Sequence, residues 1–418
     1  MQHDLMPLLA GAALTAAVAL RAVRGGFGLL RERERKRRLA DADAESFRIE
    51  AHAAAAAARA KLSTGLAWRG QRSLRVAGLV EEAQGVKSFY LTSPDGQSLP
   101  AYLPGQHLTV AAPVNGNARP LVRCYTLSDR PRDDYYRLTI KRQRIESESP
   151  HGVSVSNWLH DHVRVGDEIQ CEAPKGIFFH DPASPRPLVL LGAGVGVTPI
   201  MSMLAELDHT RSQKPVYALL GFGNGQECPF REPLESIGTR NHNFTVRFAY
   251  SRPQKGEQIG VHYHRHGHVS MEWVRDLLPS NNFEFYVCGP PRMMQSVVPE
   301  LLEWGVPDDA IHFEAFGPSS LELTRNEDAT QRAIGSDVRF SPSGDPIRWD
   351  GEHKSLLELA EARGVPIASG CRAGNCGACR VRVVEGATTP IKRPGMPIDE
   401  GECLACISLP DGSVTLEA

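Results

Sequence analysis

Residues 369–380, SGCRAGNCGACR, together with Leu404-Ala405-Cys406 downstream, place Cys371, Cys376, Cys379 and Cys406 at the spacing C-x4-C-x2-C-x26-C. Three thiols within nine residues serve one small anionic centre only if the chain between them turns around it. Gly370, Gly374 and Gly377 supply that freedom, because a residue without Cβ reaches positive φ and lets its amide approach a sulfur. The spacing predicts a 2Fe-2S cluster held by four thiolates, a carrier of single electrons. A second pairing is open in the same stretch: Cys376-x2-Cys379 and Cys403-x2-Cys406, with 23 residues between them, also match a zinc ribbon. That pairing gives Cys371 and the glycines no purpose, whereas the cluster leaves over only Cys403, which is then an ordinary reduced thiol.

Upstream of the cluster motif, KSLLELAEARG (354–364) reads as a helix, with strand-like runs on either side. Residues 333–418 are therefore expected to form one α+β unit, set off by a polar linker over 317–332. The whole chain of 418 residues, 41% of them hydrophobic, has room for two or three such units. Its formal charge of −2 argues against a nucleic-acid partner.

The charge is unevenly spread. Between Arg21 and Arg38 stand eight Lys or Arg against two Glu. This basic stretch follows sixteen uncharged residues, Leu5 to Leu20, which span about 24 Å as a helix. With Ala22 and Val23 added and Arg21 snorkelling, residues 5–23 are expected to anchor the chain in a membrane. The arginines on one flank place the rest on the cytoplasmic face of the plasma membrane. A cleaved signal peptide fits less well, since MQHD has no basic start. From Glu32 to about Leu62, Ala, Arg and Glu without Pro or Gly predict a long helix, so residues 1–65 hold a hydrophobic segment and a basic helix rather than a core.

Between residues 66 and 183, short alternating runs such as LRVAGLVEE, SFYLTS, QHLTVAA and YYRLTIKR, with a turn at Pro94-Asp95-Gly96, predict a small antiparallel barrel. One run reads Arg123-Cys124-Tyr125-Thr126-Leu127-Ser128. Strand alternation sends Arg123 and Tyr125 to one face and Thr126 to the other. Farther on, HGVSVSNWLHDH (151–162) puts Gly152 and Ser156 at a helix start, where exposed amides bind phosphate.

With these residues the chain resembles the ferredoxin-NADP reductase superfamily, over roughly residues 66 to 316, and most of all the reductase half of flavohaemoglobins. The resemblance implies a flavin, FAD rather than FMN by analogy. It also implies that Arg123 pairs with the flavin phosphate, Tyr125 packs on the isoalloxazine, Thr126 bonds near N5, and Gly152, Val153 and Ser156 contact phosphate. Thr126 for the commoner Ser and His151 for a frequent Gly are mild departures.

Residues 184–316 change pattern. PLVLLGAGVGVTPIMSMLAEL (187–207) runs from an apolar strand through glycines into a helix, a βαβ opening with the turn Gly192-x-Gly194-x-Gly196-x-Thr198-Pro199. Pro199 suits a first helical turn and Thr198 adds a hydroxyl to the amides. FEFYVCGPPRMM (283–294) ends a second apolar strand at Cys288-Gly289-Pro290, where doubly wound α/β sheets bind ligands. The resemblance implies a dinucleotide pyrophosphate on the glycine turn and nicotinamide beside Cys288, which lines the hydride path without acting as a nucleophile. In HFEAFGP (312–318) it implies Glu314 near the flavin edge and Phe316 covering the ring. Ser251-Arg252 offers a hydroxyl and a cation for a 2′-phosphate, leaving NADPH and NADH both open. The alternating His262, His264, His266 and His268 suggest a metal strip, which nothing in the family uses.

The order is antiparallel flavin barrel, doubly wound α/β nucleotide domain and β-grasp ferredoxin domain after an N-terminal anchor segment. It resembles the phthalate dioxygenase reductase and hybrid-cluster-protein reductase class. That class implies NAD(P)H oxidation with electrons leaving singly through flavin and cluster to a separate acceptor protein: an oxygenase, a membrane-bound desaturase or hydroxylase, a cytochrome or a hybrid-cluster protein. The alternative is a redox sensor or scaffold carrying the same groups without turnover.

Overall fold

The computed structural model describes residues 68–114, 120–143, 154–181, 184, 186–314, 316, 327–341, 343–374, 376–391, 394, 396 and 398–418. The anchor expected at 5–23, the long basic helix, Gly152 and Val153 lie outside these residues. Among the described residues no helix is long and apolar enough to cross a membrane.

Six antiparallel strands open the fold: β1 (Gln71–Ala83), β2 (Val86–Thr92), β3 (His107–Ala112), β4 (Leu121–Thr126), β5 (Tyr136–Lys141) and β6 (Glu168–Lys175). Their order is β4-β3-β6-β1-β2-β5, and a bridge between Leu127 and Leu138 joins the two ends, giving a barrel. Period-two alternation sends Leu74, Val76, Phe89, Leu91, Leu108, Val110 and Leu138 into one apolar core. Strand β3 departs from simple alternation, for His107, Thr109 and Ala111 on its other face are buried too. Something must cover that face, and the third domain does. Helix α1 (Val155–His162) begins at Ser154, whose side chain accepts from the Asn157 amide at 3.4 Å, and it buries Val155 and Leu159 against the barrel.

The second sheet is wholly parallel, in the order β10-β9-β8-β7-β11-β12. Its strands are β7 (Leu188–Ala193), β8 (Val216–Phe222), β9 (Phe244–Tyr250), β10 (Arg265–His266), β11 (Glu284–Cys288) and β12 (Ile311–Glu314). Continuous apolar runs such as Leu188–Leu191 and Phe285–Cys288 are buried on both faces, as helices on each side of a parallel sheet require. Helices α2 (Val197–His209) and α3 (Arg231–Arg240) pack into one core, α4 (Met271–Leu277) and α5 (Pro291–Glu303) into the other. The chain moves outward from β7 in one direction through β8 to β10 and in the other through β11 to β12. The strand order therefore reverses between β7 and β11, and a ligand crevice is expected at their carboxyl ends.

The third unit holds α6 (Glu327–Ala333), β13 (Asp337–Arg339), β14 (Ile347–Arg348), α7 (Leu356–Ala362), β15 (Arg380–Pro390), β16 (Glu402–Leu404) and β17 (Ser408–Glu417). The mixed sheet runs β14-β13-β17-β15-β16, with α7 packed across it. Part of the polar stretch expected to be linker is structured: α6 buries Ala329 and Ala333 in this core. Two alanines four apart carry too little apolar surface to signal a helix before their partners are known.

Candidate functional site: a cavity where three domains meet

A cavity of about 920 Å³ is lined from the barrel, the nucleotide domain and the cluster loop. Arg123, Tyr125 and Thr126 of β4 line it, with Ser156 of α1, Thr198 at the start of α2, Arg252 after β9, Glu314 at the end of β12, Phe316 just beyond, and Gly370 and Cys371 of the third domain.

Antiparallel register sets His107 opposite Thr126, Leu108 opposite Tyr125 and Thr109 opposite Cys124. The Arg123 guanidinium donates to the Val122 carbonyl at 2.8 Å. Burial, and after it the neighbouring cation Arg372, pulls its pKa below the ordinary value, so an anion placed there is favoured. The Tyr125 hydroxyl and Ser156 Oγ are 3.0 Å apart, and burial pushes the phenol up to about 12. Ser156, expected on phosphate, lines the cavity and also meets the Tyr125 hydroxyl, while Ser154 caps the helix. Thr126 Oγ1 is buried and has no hydrogen-bond partner among the described residues. An orphaned hydroxyl beside a partly apolar cavity fits the heteroatom edge of a flavin, and Arg123 fits its phosphate.

The glycine turn lies at the end of β7. Gly194 has φ +53°, and Thr198 Oγ1 donates back to the Val195 carbonyl at 2.9 Å. A Cβ on Gly196 would stand 2.2 Å from the Cys288 carbonyl oxygen and 2.8 Å from the Gly289 nitrogen, so the two strand ends close up at the reversal only because Gly196 has no side chain. Gly192, Gly194, Gly196, Pro199, Gly289 and Pro290 shape this crevice without lining the large cavity. Cys288 is fully buried beside Glu314, its partner across β11 and β12. Burial, then that carboxylate, raises its pKa well above the ordinary thiol range, which keeps it a neutral wall.

At the nucleotide loop Arg252 is mostly exposed and pairs with Glu227 at 3.1 Å, while the Ser251 amide donates to the Phe222 carbonyl at 3.0 Å. Glu227 went unnoticed in the sequence, being one carboxylate among many 25 residues from Arg252. The histidine strip does not assemble: His264 Nδ1 accepts from the Phe248 amide at 3.1 Å and His262 Nδ1 from the Gln258 amide at 3.0 Å. Among the described residues no three His, Cys, Asp or Glu side chains gather around a single ion.

The four predicted cysteines come together as pairs. The Cys371 amide donates to Cys376 Sγ at 3.3 Å, and the Ala373 and Cys376 amides donate to Cys371 Sγ at 3.4 and 3.3 Å. Cys379 and Cys406 hydrogen-bond each other, and both are buried. Cys376 is held far below the ordinary thiol range by Cys124 and Cys371, and Cys379 is lowered by Cys406. Two pairs of sulfurs, the Cys371–Cys376 pair receiving backbone amides, suit two irons with two thiolates each. Gly374 at φ +75° and Gly377 at φ +71° let the loop turn, and Arg372 fastens it to Glu361 of α7 by two bonds of 2.6 Å. Cys403 lies in the domain core opposite Val381, its thiol pushed up to about 11 chiefly by burial. The zinc-ribbon pairing is not what forms.

Residues 74–180 match an oxidoreductase FAD-binding domain, residues 190–298 an oxidoreductase NAD-binding domain, and residues 341–411 a 2Fe-2S iron-sulfur cluster binding domain. The chain is 34% identical over 252 residues to a flavohemoprotein of Halalkalibacterium halodurans, an alignment covering 60% of this chain and 61% of that one. It thus spans about three fifths of the length of such curated relatives. Among solved structures, the flavohem-like FAD/NAD-binding domain of nitric oxide dioxygenase from Vibrio cholerae is 30% identical with a TM-score of 0.52, over 59% of this chain and 99% of that one. Phthalate dioxygenase reductase shares the fold across all three units, with a TM-score of 0.54 and 23% identity over 84% of this chain and 98% of that one.

Proposed function

We infer, taking as premise that this chain belongs to the ferredoxin-reductase superfamily and carries FAD, NAD(P)H and 2Fe-2S sites, that it oxidises NAD(P)H and hands single electrons to a separate acceptor protein. The observation that carries this reading is the single cavity walled by β4, the β12 end and the cluster loop. A nicotinamide and a flavin held at this cavity would supply hydride transfer followed by release of single electrons, and a cluster on the four cysteines would carry one electron at a time.

Each residue's part follows from its surroundings. Arg123 holds flavin phosphate, Tyr125 packs on the ring and is kept in place by Ser156, and Thr126 Oγ1 donates to the flavin edge. Gly152 and Val153 complete the phosphate contacts in this reading. Gly192, Gly194, Gly196, Thr198 and Pro199 seat the pyrophosphate. Cys288, Gly289 and Pro290 wall the nicotinamide, and Phe316 excludes water until the nicotinamide displaces it. Ser251 and Arg252 face the adenosine end. Cys371, Cys376, Cys379 and Cys406 ligate the irons.

The acceptor is proposed to be an oxygenase component. Phthalate dioxygenase reductase, described as a modular structure for electron transfer from pyridine nucleotides to 2Fe-2S, supports that choice. The apolar residues 5–23 and the arginines after them support docking at the cytoplasmic face of a membrane.

Two artificial acceptors test the reading. Ferricyanide takes electrons from flavin or cluster, while cytochrome c is expected to take them from the cluster. In Cys406→Ala, cytochrome c reduction by NAD(P)H should fall by on the order of 100-fold relative to ferricyanide reduction. Equal loss of both, or of neither, contradicts the proposed order of carriers.

A further inference from the structure

Cys124, the middle residue of the Arg-Cys-Tyr-Thr run, has no part in the flavin reading. It alternates with Arg123 and Tyr125 along β4, lies opposite Thr109 on β3 with Thr109 Oγ1 3.7 Å from its sulfur, and borders the same cavity. On the other side it meets the third domain. A Cβ built on Gly370 would be 2.9 Å from Cys124 Sγ and 3.1 Å from Cys376 Sγ, so the two sulfurs flank a residue of the loop that has no side chain. Both sulfurs therefore lie against the same glycine, which brings the Cys124 thiol close to the Cys376 sulfur. An iron-bound Cys376 is a thiolate with no proton to give, which makes Cys124 the donor.

We propose that Cys124, a residue of the flavin barrel, donates its S–H to the Cys376 sulfur and so sets the reduction potential of the 2Fe-2S cluster from outside the domain that binds it. The proposal rests on the reading of Cys376 as an iron ligand. An added electron makes the ligand sulfurs more negative, so a donor to one of them stabilises the reduced cluster more than the oxidised one. The hydrogen bond therefore raises the potential. Because donor and acceptor belong to different domains, the cluster accepts an electron most readily when its loop is seated on the barrel. Thr109 acts as a positioning residue: its hydroxyl beside Cys124 Sγ limits the rotamers from which the thiol reaches Cys376.

The test is a redox titration of the intact holoprotein, followed by electron paramagnetic resonance of the reduced cluster. Two variants remove the donor: Cys124→Ala clears the side chain, and Cys124→Val keeps its bulk. Both are expected to shift the one-electron equilibrium toward the oxidised cluster by on the order of tenfold, a lowering of about 59 mV, with about two irons per chain retained. Cys124→Ser, which restores a donor, should recover part of the shift, and Thr109→Val should give a smaller shift of the same sign. In deuterated buffer, one exchangeable coupling to the cluster should be present in the wild type and missing in Cys124→Val. Wild-type potentials in both Cys124→Ala and Cys124→Val overturn the proposal. So does a shift in the alanine variant alone, which is a packing effect, or an equal shift in Cys171→Ala, a thiol buried in the barrel core. A wild-type protein that assembles no cluster would instead refute the functional reading itself.

Discussion

The glycine turn of the nucleotide domain and the glycine loop of the cluster domain use the same residue type against different neighbours. At Gly196 the close neighbours are backbone, the Cys288 carbonyl carbon and oxygen and the Gly289 nitrogen, which belong to a paired central strand end. At Gly370 they are two sulfur atoms, one of them on another domain. Backbone locked in a sheet has nowhere to go, whereas a cysteine side chain has rotamers. The first glycine lets two strand ends close up, and the second leaves room for a barrel sulfur beside a cluster-loop sulfur.

The largest effect expected from this contrast is that of Gly196→Ala. A methyl group 2.2 Å from a carbonyl oxygen forces the β7 and β11 ends apart. A displacement of about 1 Å in a hydride-transfer site costs on the order of 100-fold in rate. Stopped-flow reduction of the flavin by NAD(P)H measures this, and cluster absorption should be unchanged. Gly370→Ala should do the reverse. Its methyl overpacks the two sulfurs at about 1–3 kcal/mol, lowering iron content and the melting temperature while flavin reduction keeps its wild-type rate. If both variants damaged the same step, the two glycines would not have separate duties.

A third expectation concerns the barrel's last stretch, which packs against the nucleotide domain. His180 is buried there in edge contact with Tyr286, and burial lowers its pKa from 6.5 to about 3. The unfolded chain binds this proton below about pH 6.5 and the folded chain does not, so stability falls as the pH drops from there toward 3. Between about pH 6.5 and 5.5 one such histidine contributes a loss of about 1 kcal/mol. His180→Asn should make chemical-denaturation stability less steep in pH by that amount, and an unchanged slope would show that His180 does not stay neutral on folding. The smallest effect belongs to Arg252. Its ion pair with Glu227 is mostly exposed and worth at most about 1 kcal/mol. Glu227→Gln, which frees the guanidinium for a 2′-phosphate, should therefore raise the NADPH to NADH preference by no more than about fivefold. Arg252→Ala should remove that gain.

Motifs whose needs are local were legible in the sequence. The cysteine spacing, the glycine turn, the Arg-x-Tyr-Thr run and the strand-end Cys288 each announce themselves within a dozen residues, because the backbone must bend or open at that spot. Contacts made across the chain left no such mark. Cys124 and Cys376 are 252 residues apart, and a cysteine in a strand reads as packing. The contact between Ser156 and Tyr125 depended on where helix α1 would meet β4. The pairing of Glu227 with Arg252 needed two loops to meet. Helix α6 was hidden because its apolar side is two alanines whose partners lie on β17. The histidine run shows the converse: a spacing that could align imidazoles for a metal serves backbone amides at 258 and 248 instead.

The coupling of hydride oxidation to single-electron delivery is tested most directly by anaerobic titration of the purified, cofactor-loaded chain, first with dithionite and then with NAD(P)H. The account predicts uptake of about three electrons per chain, two at the flavin and one at the cluster. It also predicts that NAD(P)H reduces the cluster only when flavin is bound. A cluster that stays oxidised under excess NAD(P)H, or one that is reduced equally well in protein stripped of flavin, would contradict it.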